Sequence, residues 1–304
     1  MAIGPVYVLH GVQLPSSVYL GQVTDGGVVS EADVQASYSA GHVTPLFRCL
    51  MGSSPSIDFT TSQLATLLAA VGQYGADLSA GNVDLLYRKV TNFGTRSALN
   101  ATDGYRFRAS EAMAVIRSLS AQHRGLASAQ VGIIPVYDGS NAPIVPAGSV
   151  AMSGTPSASE LYTLGPVVIN GTQIDGCQGW NLDFGINVVQ EGDDGNIYNT
   201  HAHVEQVDPS ISFESLEVDD LWSYGFTGTN LTSFAVYLRK KSRTGNVADG
   251  TSQHIKISGT LGQVVPENTR GGGNRRADSG AKLFITSADS STDPLTITVA
   301  SAIP

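Results

Sequence analysis

The sequence is poor in charged residues, in cysteine and in long apolar runs. Only 14% of its 304 residues are Asp, Glu, Lys or Arg, well below the roughly 25% of an average globular protein. Its two cysteines, Cys49 and Cys177, exclude a disulfide scaffold and a cysteine-only zinc site, and we interpret both as free thiols in a reducing compartment. No apolar run approaches the roughly 18 residues of a membrane span. Met1–Leu14 lacks the features of a secretory signal, so we expect no membrane association.

Basic residues are also scarce, and the deficit lies in the second half. The whole chain has 17 Lys and Arg against 26 Asp and Glu, for a net charge of -9. Residues 1–152 have a net charge of -1, and residues 153–304 have a net charge of -8. Such a protein does not attract phosphates, so sequence-specific DNA binding is disfavoured. The same charge suits a surface that DNA passes without sticking.

No motif typical of catalysis or nucleotide binding is present. The nucleophile elbow, the Walker loop, the zinc-protease helix and the dinucleotide fingerprint are all missing. We therefore predict a protein that is not an enzyme and that uses no cofactor or metal. Gly271–Gly273 lies among basic residues, but a mobile basic surface loop from Arg270 to Arg276 is favoured over a phosphate cradle, because no strand-to-helix turn is predicted there.

Two clusters leave a chemical alternative open. His201 and His203 share one face of a predicted strand, as metal ligands can, although a structural or surface role is favoured. An acidic cluster resembles a catalytic carboxylate pair, but a solvated helix start is favoured, since acidic side chains are stabilised there. This cluster comprises Glu214, Glu217, Asp219 and Asp220.

A collinear series of short matches indicates an internal duplication. The segment PSIDF at Pro55–Phe59 matches PSISF at Pro209–Phe213, 154 positions later. Other matches pair Gly4–Val6 with Gly165–Val167, Gly11–Leu14 with Gly171–Ile174, Tyr74-Gly75 with Tyr224-Gly225, and Pro143 with Pro294. Their separations lie between 150 and 161 positions, in one order. We predict two modules, 1–151 and 165–304, with a linker at 152–164. The alternative is two unrelated β domains that share common turn sequences.

Each half is predicted to be a mainly β, mostly antiparallel module with one packed helix. The helices are expected at 61–72, with Thr60 and Gln63 as a capping box, and at 215–223. Apolar residues at helical spacing form the side that packs on the sheets. These residues are Leu64, Leu67, Leu68 and Val71 in the first half and Val218, Leu221 and Trp222 in the second.

Charged residues at matching places suggest contacts with other chains. Asp25-Gly26 and Asp194-Gly195 are turn dipeptides, which we place at the tips of long hairpins. The free backbone groups of such hairpins invite pairing with another chain. Glu191 and Asp193 make the second tip acidic, and Arg270, Arg275 and Arg276 are a candidate basic counterpart on a neighbour. Arg88-Lys89 and Arg239-Lys240 recur after the same strand, and we interpret them as subunit contacts, with plain surface charge as the alternative.

The second half resembles a bacteriophage tail tube protein, also called a major tail protein. The resemblance covers residues 165–304 and reaches residues 4–150 through the internal repeat. It rests on Asn170–Ile174 (NGTQI), Asn181–Gly185 (NLDFG), the acidic hairpin at Asp194-Gly195, Pro209–Phe213 (PSISF), the short helix, Val236–Lys240 (VYLRK) and Val264–Glu267 (VVPE).

The resemblance implies a β-sandwich with a flanking helix and a long hairpin in each module. Inner strands of such subunits join into a barrel, and the hairpins stack rings into a tube. Most relatives have one module per chain and six chains per ring, so a duplicated chain implies a homotrimeric, pseudo-hexameric ring of a long non-contractile tail. The first half departs from the pattern in an insertion between His42 and Pro55 and in weaker acidity.

The resemblance also implies partners and location. The implied partners are further copies of the chain, a tape measure protein, tail terminator and distal tail proteins, and double-stranded DNA in passage. The implied location is the virion, after synthesis in the cytoplasm of the bacterial host. The alternatives are another tail or injection-machine component, such as a distal tail protein, baseplate hub or contractile-system inner tube, and a β-rich adhesin or carbohydrate-binding module.

Overall fold

The chain folds into antiparallel β-sheets with two short α-helices, as a computed structural model shows for residues 6–79, 81–91, 95–99, 101–156, 160–272, 275–289 and 291–304. The elements of the first half are β1 (Val6–Gln13), a 3-10 turn (Pro15–Ser17), β2 (Tyr19–Leu20), β3 (Val23–Ser37), β4 (Phe47–Thr61), α1 (Leu64–Val71), β5 (Ala76–Asp77), β6 (Val83–Thr91), β7 (Thr95–Arg96), β8 (Gly104–Ala109), β9 (Ala112–Gln122), β10 (Ser128–Pro135) and β11 (Val145–Val150).

The second half contains the remaining strands and the second helix. They are β12 (Tyr162–Ile169), β13 (Thr172–Ile174), β14 (Cys177–Asp183), β15 (Ile186–Glu191), β16 (His201–Val207), β17 (Ser210–Ser215), α2 (Val218–Trp222), β18 (Thr229–Leu231), β19 (Phe234–Ser242), β20 (Gly245–Asn246), β21 (His254–Gly259), β22 (Gly262–Gly272), β23 (Arg275–Ile285) and β24 (Thr296–Ser301).

Each half has a small sheet, and the two small sheets have the same strand order. The first runs β11-β8-β6-β1-β2 and the second runs β24-β21-β19-β12-β13. A register shift follows Leu9 in β1 and Leu164 in β12, so Leu9 and Leu164 are equivalent, 155 positions apart. The matches of Val6 and of Gly11–Leu14, at larger separations, are therefore wrong, and Gly4 and Pro5 lie outside the described residues. Short glycine-rich sequence segments recur by chance.

The third sheet, which we call the long sheet, contains strands from both halves. Its order is β3-β4-β10-β9-β14-β17-β23-β22, with β5 added beside β9 and β18 beside β22. The first four of these strands belong to the first half and the last four to the second. They join where β9 pairs antiparallel with β14, which places Leu119 opposite Leu182.

Irregularities of the long sheet recur at equivalent places. Thr24 in β3 and Gln178 in β14 are each skipped by a register shift, and so are Arg117 in β9 and Glu267 in β22. Thr24 and Gln178 lie 154 positions apart, the same separation as the PSIDF and PSISF segments. The hairpins that follow therefore have equal lengths. The predicted insertion between His42 and Pro55 is wrong, because both hairpins have the same number of residues between the skipped residue and the PSIDF or PSISF segment.

The core lies between the long sheet and the small sheets with their helices. Ile57 and Phe59 of β4 are buried, as are Ile211 and Phe213 at the equivalent positions of β17. The Tyr87 hydroxyl of β6 donates to a backbone carbonyl of β3 at 3.1 Å, which ties the first small sheet to the long sheet.

Helix α1 confirms the predicted apolar seam but not its predicted cap. Its four seam residues are all buried. Thr60 lies in β4, and the helix instead begins beside a carboxylate from the connection between the halves. Glu160 accepts hydrogen bonds from the Thr66 backbone N–H at 3.0 Å and from the Thr66 hydroxyl at 2.8 Å. Its negative charge lies at the positive end of the helix, where it is stabilising.

Replacing Glu160 by glutamine is expected to lower the free energy of unfolding by about 0.5–2 kcal/mol, the range for the loss of a helix cap. The amide keeps the size of the side chain but loses the charge and one acceptor oxygen. Urea denaturation measures the change. Glu31→Gln, on an exposed part of β3, is the matched control and should change stability by less than about 0.5 kcal/mol. Equal effects of the two variants would contradict the cap.

Helix α2 is shorter than predicted and buries only one of its three predicted residues. Leu221 is fully buried, whereas Val218 and Trp222 are half-buried. The helix has five residues, little more than one turn, so it cannot bury a stripe of residues spaced along two turns. The Trp222 indole N–H donates to the Thr269 hydroxyl, and its ring packs edge-on against Phe226 with centroids 4.4 Å apart.

The connection between the halves is tied to both of them. The Met152 N–H donates to the Leu99 carbonyl at 3.0 Å, and the Lys241 N–H donates to the Leu161 carbonyl at 2.7 Å. Strand β12 begins at Tyr162, so the last three residues of the predicted linker are part of a sheet.

Candidate functional site

One face of the long sheet is lined with small polar side chains. Successive residues of a strand point to opposite faces, so burial of Ile57 and Phe59 in the core places Ser56, Asp58 and Thr60 on the other face. The neighbouring strands continue this surface, which we call the polar face. Its serine, threonine and amide residues include Ser54, Ser56, Thr60, Ser118, Ser120, Ser128, Gln130, Asn181, Ser210 and Ser212.

Acidic side chains outnumber basic ones on the polar face. The acidic residues include Asp25, Glu31, Asp58, Asp183, Glu214, Glu267 and Asp278, and the basic residues include Arg117, Arg270 and Lys282. The Arg117 guanidinium reaches Asp58 at 3.1 Å by crossing Gly132, where a Cβ atom would lie 2.7 Å from the Arg117 Nε. Glycine at position 132 therefore lets the arginine lie flat on the sheet. The face as a whole repels polyanions.

The two ends of the long sheet are open strand edges. Among the described strands, β3 pairs only with β4, and β22 pairs only with β23 and, at 262–264, with the short β18. Residues 268–272 of β22 are equivalent to residues 118–122 of β9, which pair with β14 inside the chain. Both open edges thus match strands that are paired at the junction of the halves.

A hairpin arm extends from the long sheet in each half. The second arm, formed by β15, β16 and the loop at 192–200, bends onto the first half. There the Ser53 N–H donates to the Ile197 carbonyl at 2.7 Å, and the Tyr137 N–H donates to the Asn199 carbonyl at 2.9 Å. The rings of Tyr137 and Tyr198 stack with centroids 6.0 Å apart.

The first arm, residues 32–52 of the β3–β4 hairpin, is a two-stranded ribbon. Apart from the bridge between Ser53 at its base and Tyr198, no strand other than its own two pairs with it in the described part of the chain. It carries many exposed apolar side chains, with Val43 95% and Phe47 63% exposed. The full set is Val34, Tyr38, Val43, Leu46, Phe47, Leu50 and Met51. Such an exposed apolar ribbon is typical of a surface that contacts another protein.

The two predicted hairpin tips have different outcomes. Asp25 and Gly26 lie inside β3, opposite Thr60 and Phe59, so their predicted place at a tip is wrong. The tip of that hairpin lies between Ser37 and Phe47. Asp194 and Gly195 do form the tip of the second arm, both with positive φ. Glu191 ends β15 opposite His201, and the Asp193 carbonyl accepts the Asn196 N–H at 2.9 Å.

The recurring basic pairs lie on equivalent strands, β6 and β19, and have partners nearby. Arg88 donates to the Ser97 carbonyl. Arg239 binds Asp249 at 2.8 Å. Lys89 lies 3.9 Å from Asp103, and the Lys240 backbone N–H donates to the His254 ring at 3.0 Å. A role in subunit contacts stays a prediction.

The predicted basic loop from Arg270 to Arg276 is largely a β-hairpin. Arg270 lies in β22 opposite Asp278 of β23, with its side chain exposed. Arg276, in β23, binds Glu217 at 2.5 Å, which fastens this hairpin to the start of α2. Arg275 begins β23, and its side chain lies outside the described residues.

The residues with a chemical alternative lie on two strands and on α2. His201 and His203 lie on β16, and Glu214 lies on β17 rather than at a helix start. Glu217 immediately precedes α2, and Asp219 and Asp220 lie in its first turn, as expected. In the ranges that the structure covers, no three or more His, Cys, Asp or Glu side chains are arranged to hold a metal ion. Cys49 and Cys177 are free, and burial raises the pKa of the Cys177 thiol to about 11. Its thiol is therefore protonated at neutral pH and weakly nucleophilic.

No protein family matches this chain, and no curated protein is significantly similar to it. The described helices are all too short or too polar to cross a membrane. The polar face, the open edges and the arms are therefore the features of this chain that suggest a function. Local residue patterns did not predict the open edges, because an edge strand differs from a central strand only in lacking a neighbouring strand.

Proposed function

We propose that this chain is the subunit of a bacteriophage tail tube, in which three copies close a ring whose inner wall is the long sheet. The observation that carries the proposal is the junction between β9 and β14. It joins the strands of both halves into one sheet, and the two free ends of that sheet repeat the strands that form the junction. The matching strand orders support interpretation of the halves as two tandem β-sandwich tube modules.

Applying the register of the junction to the open edges gives the proposed contact between chains. Within the chain, Ser120 lies opposite Asn181 and Leu119 opposite Leu182. The same register sets Arg270 of one copy opposite Gly27 of the next. Asp25 of that next copy is then a diagonal neighbour of Arg270, close enough for an attractive charge pair. This assigns Asp25 and Arg270 to the closure of the ring.

A ring of three chains has a suitable size and lining for DNA. Three long sheets of eight main strands each give a barrel of about 24 strands, and at roughly 4.8 Å per strand its wall is on the order of 40 Å across. Barrels of 16–18 strands already enclose a water-filled channel. The polar face would line the channel, and its excess of acidic groups would keep phosphates from adhering.

The exposed first arm supports stacking of rings into a tube. By resemblance, the completed tube would enclose a tape measure protein and end at tail terminator and distal tail proteins. Its place would be the virion, after synthesis in the cytoplasm of the bacterial host, and its role the passage of genomic DNA without catalysis or cofactor.

Electron microscopy of negatively stained protein tests the proposal. The native chain is expected to form three-chain rings with six lobes, and tubes built from them. Arg270→Glu should abolish both, because the new carboxylate meets Asp25 across the closing edge. Combining it with Asp25→Lys should restore rings, since the pair is then attractive again with reversed signs.

Arg243→Glu is the matched control, because Arg243 is equally exposed but lies in the turn between β19 and β20, away from the edges. It should leave rings unchanged. A native chain that remains monomeric at every concentration would overturn the proposal. Rings that persist in Arg270→Glu would overturn the assigned edge pairing.

A further inference from the structure

The two halves touch at a second place beside the β9–β14 junction. After α1 the chain turns, and the Gln73 side chain reaches the second half just before β24. Its amide N–H donates to Asp293 Oδ2 and to the Leu295 carbonyl, both at 3.1 Å, and its oxygen accepts the Ile297 N–H at 3.2 Å. The Tyr74 hydroxyl lies 3.4 Å from the Leu295 backbone. This turn covers Leu295, which is 1% exposed.

The equivalent turn after α2 makes no such contact with the other half in the described part of the chain. Gly225 and Gly228 have positive φ like Gly72 and Gly75, and an added Cβ at Gly75 or Gly228 would meet the carbonyl of Ala114 or Val264, which are equivalent residues of β9 and β22. Phe226 and Thr227 therefore occupy the positions of Gln73 and Tyr74, and the match of Tyr74-Gly75 with Tyr224-Gly225 is wrong. Phe226 is 82% exposed and packs against Trp222 alone of the described rings. Trp222 in turn contacts Thr269 on β22. An aromatic surface thus lies beside the open edge of β22, as the turn after α1 lies beside β9.

The loop before β24, which Gln73 and Tyr74 contact, has an equivalent in the first half. Asp289 folds the loop before β24 by accepting the Ser291 N–H at 2.8 Å. Asp138 folds the loop before β11 in the same way, by accepting the Ser140 N–H at 2.8 Å and the Asn141 N–H at 2.6 Å. These hydrogen bonds lower the pKa of both carboxyl groups. Two loops of the same construction therefore precede the last strands of the two small sheets.

The loop before β11 is less covered than the equivalent loop before β24. Ile144 occupies the position of Leu295, 151 positions earlier, but it is only half-buried. Val145 is 36% exposed, and Pro146 is exposed. The loop before β11 thus exposes apolar side chains at positions that are covered, in the loop before β24, by the other half of the chain.

We infer that residues 226–227 of one copy dock on residues 142–146 of a second copy, as residues 73–74 dock on residues 293–297 inside the chain. The inference rests on the proposed ring and adds a second surface to each contact between chains. Phe226, at the position of Gln73, lies against Val145 and Pro146. The geometry is self-consistent, since this turn and the β22 edge lie on one side of the second half, and the receiving loop belongs to the half that carries the β3 edge.

Cross-linking through paired cysteines tests the contact. The starting protein carries Cys49→Ser and Cys177→Ser. The test variant adds Thr227→Cys and Ala142→Cys, and the reference variant adds the equivalent pair Tyr74→Cys and Asp293→Cys. With a short bismaleimide, the reference pair should link within one chain and keep the monomer mass on a denaturing gel. The test pair should give covalent dimers and trimers, and Thr227→Cys alone should give neither.

The outcome separates this inference from the proposed function. Rings seen by microscopy together with a test pair that stays monomeric would overturn the docking surface and leave the tube proposal standing. Absence of both rings and cross-links would overturn both. Phe226→Ser is an independent variant, because this exposed residue is not required for folding. It should raise the protein concentration for half-maximal ring formation at least about tenfold, and an unchanged midpoint would also overturn the docking surface.

Discussion

Excision of residues 33–52, with an Asn-Gly turn joining Ala32 to Ser53, is expected to leave a folded chain that forms no tubes. Ala32 and Ser53 lie opposite each other in the β3–β4 ladder, so a two-residue turn fits between them. The removed ribbon carries the exposed apolar residues of the first arm and contributes little to the core. Ser53 keeps its hydrogen bond to the second arm.

Negative-stain microscopy should show single rings or free chains. The free energy of unfolding measured with urea should stay within about 1 kcal/mol of the native value, since shortening a loop costs little entropy. The comparison variant replaces residues 192–200 by the same turn between Glu191 and His201. It should unfold at lower urea concentration, because it removes the contacts with Ser53 and Tyr137. Native-length tubes from the 33–52 excision would exclude the first arm as the stacking element.

Replacing Leu67 by alanine is expected to reduce the free energy of unfolding by about 2–5 kcal/mol, the usual cost of a large cavity in a packed core. Leu67 is fully buried on α1 between the sheets. Trp222→Ala should cost less than Leu67→Ala, because Trp222 is only half-buried. Urea denaturation at a protein concentration without assembly measures both.

Two control variants isolate the effect of the cavity. Leu67→Met keeps the volume and should cost less than about 1.5 kcal/mol. Val43→Ala, at a position 95% exposed, should change stability by less than about 0.5 kcal/mol. If Leu67→Ala unfolded at the same urea concentration as Val43→Ala, the burial of the α1 seam would be contradicted.

Local patterns predicted the elements whose structure depends on neighbours in sequence. Leu64, Leu67, Leu68 and Val71 follow the helical period, and all four are buried as expected. The same logic failed for Trp222, because periodicity does not reveal that a helix ends after one turn. It failed for Asp25-Gly26, because a register shift at Thr24 accommodates this turn-like dipeptide inside a strand.

The candidate site depends on pairings between distant residues, which local patterns do not encode. Leu119 and Leu182 are ordinary strand residues in sequence, and only the fold shows that they join the two halves. The importance of Arg270 likewise depends on the empty edge beside it. The acidity of the second half did indicate part of the polar face, since Asp183, Glu214 and Glu267 all lie there.

The covalent link between the halves also governs how assembly depends on concentration. In the proposed ring, three of the six junctions between neighbouring modules are β9–β14 pairings made when each chain folds. Only two associations between chains are then needed, and the last junction closes the ring at the high effective concentration of tethered partners. Ring formation should therefore rise with about the third power of free subunit concentration, where single-module chains would need the sixth. If the chain forms the proposed tube, its duplication lets the first rings close at a lower protein concentration than single-module chains would need.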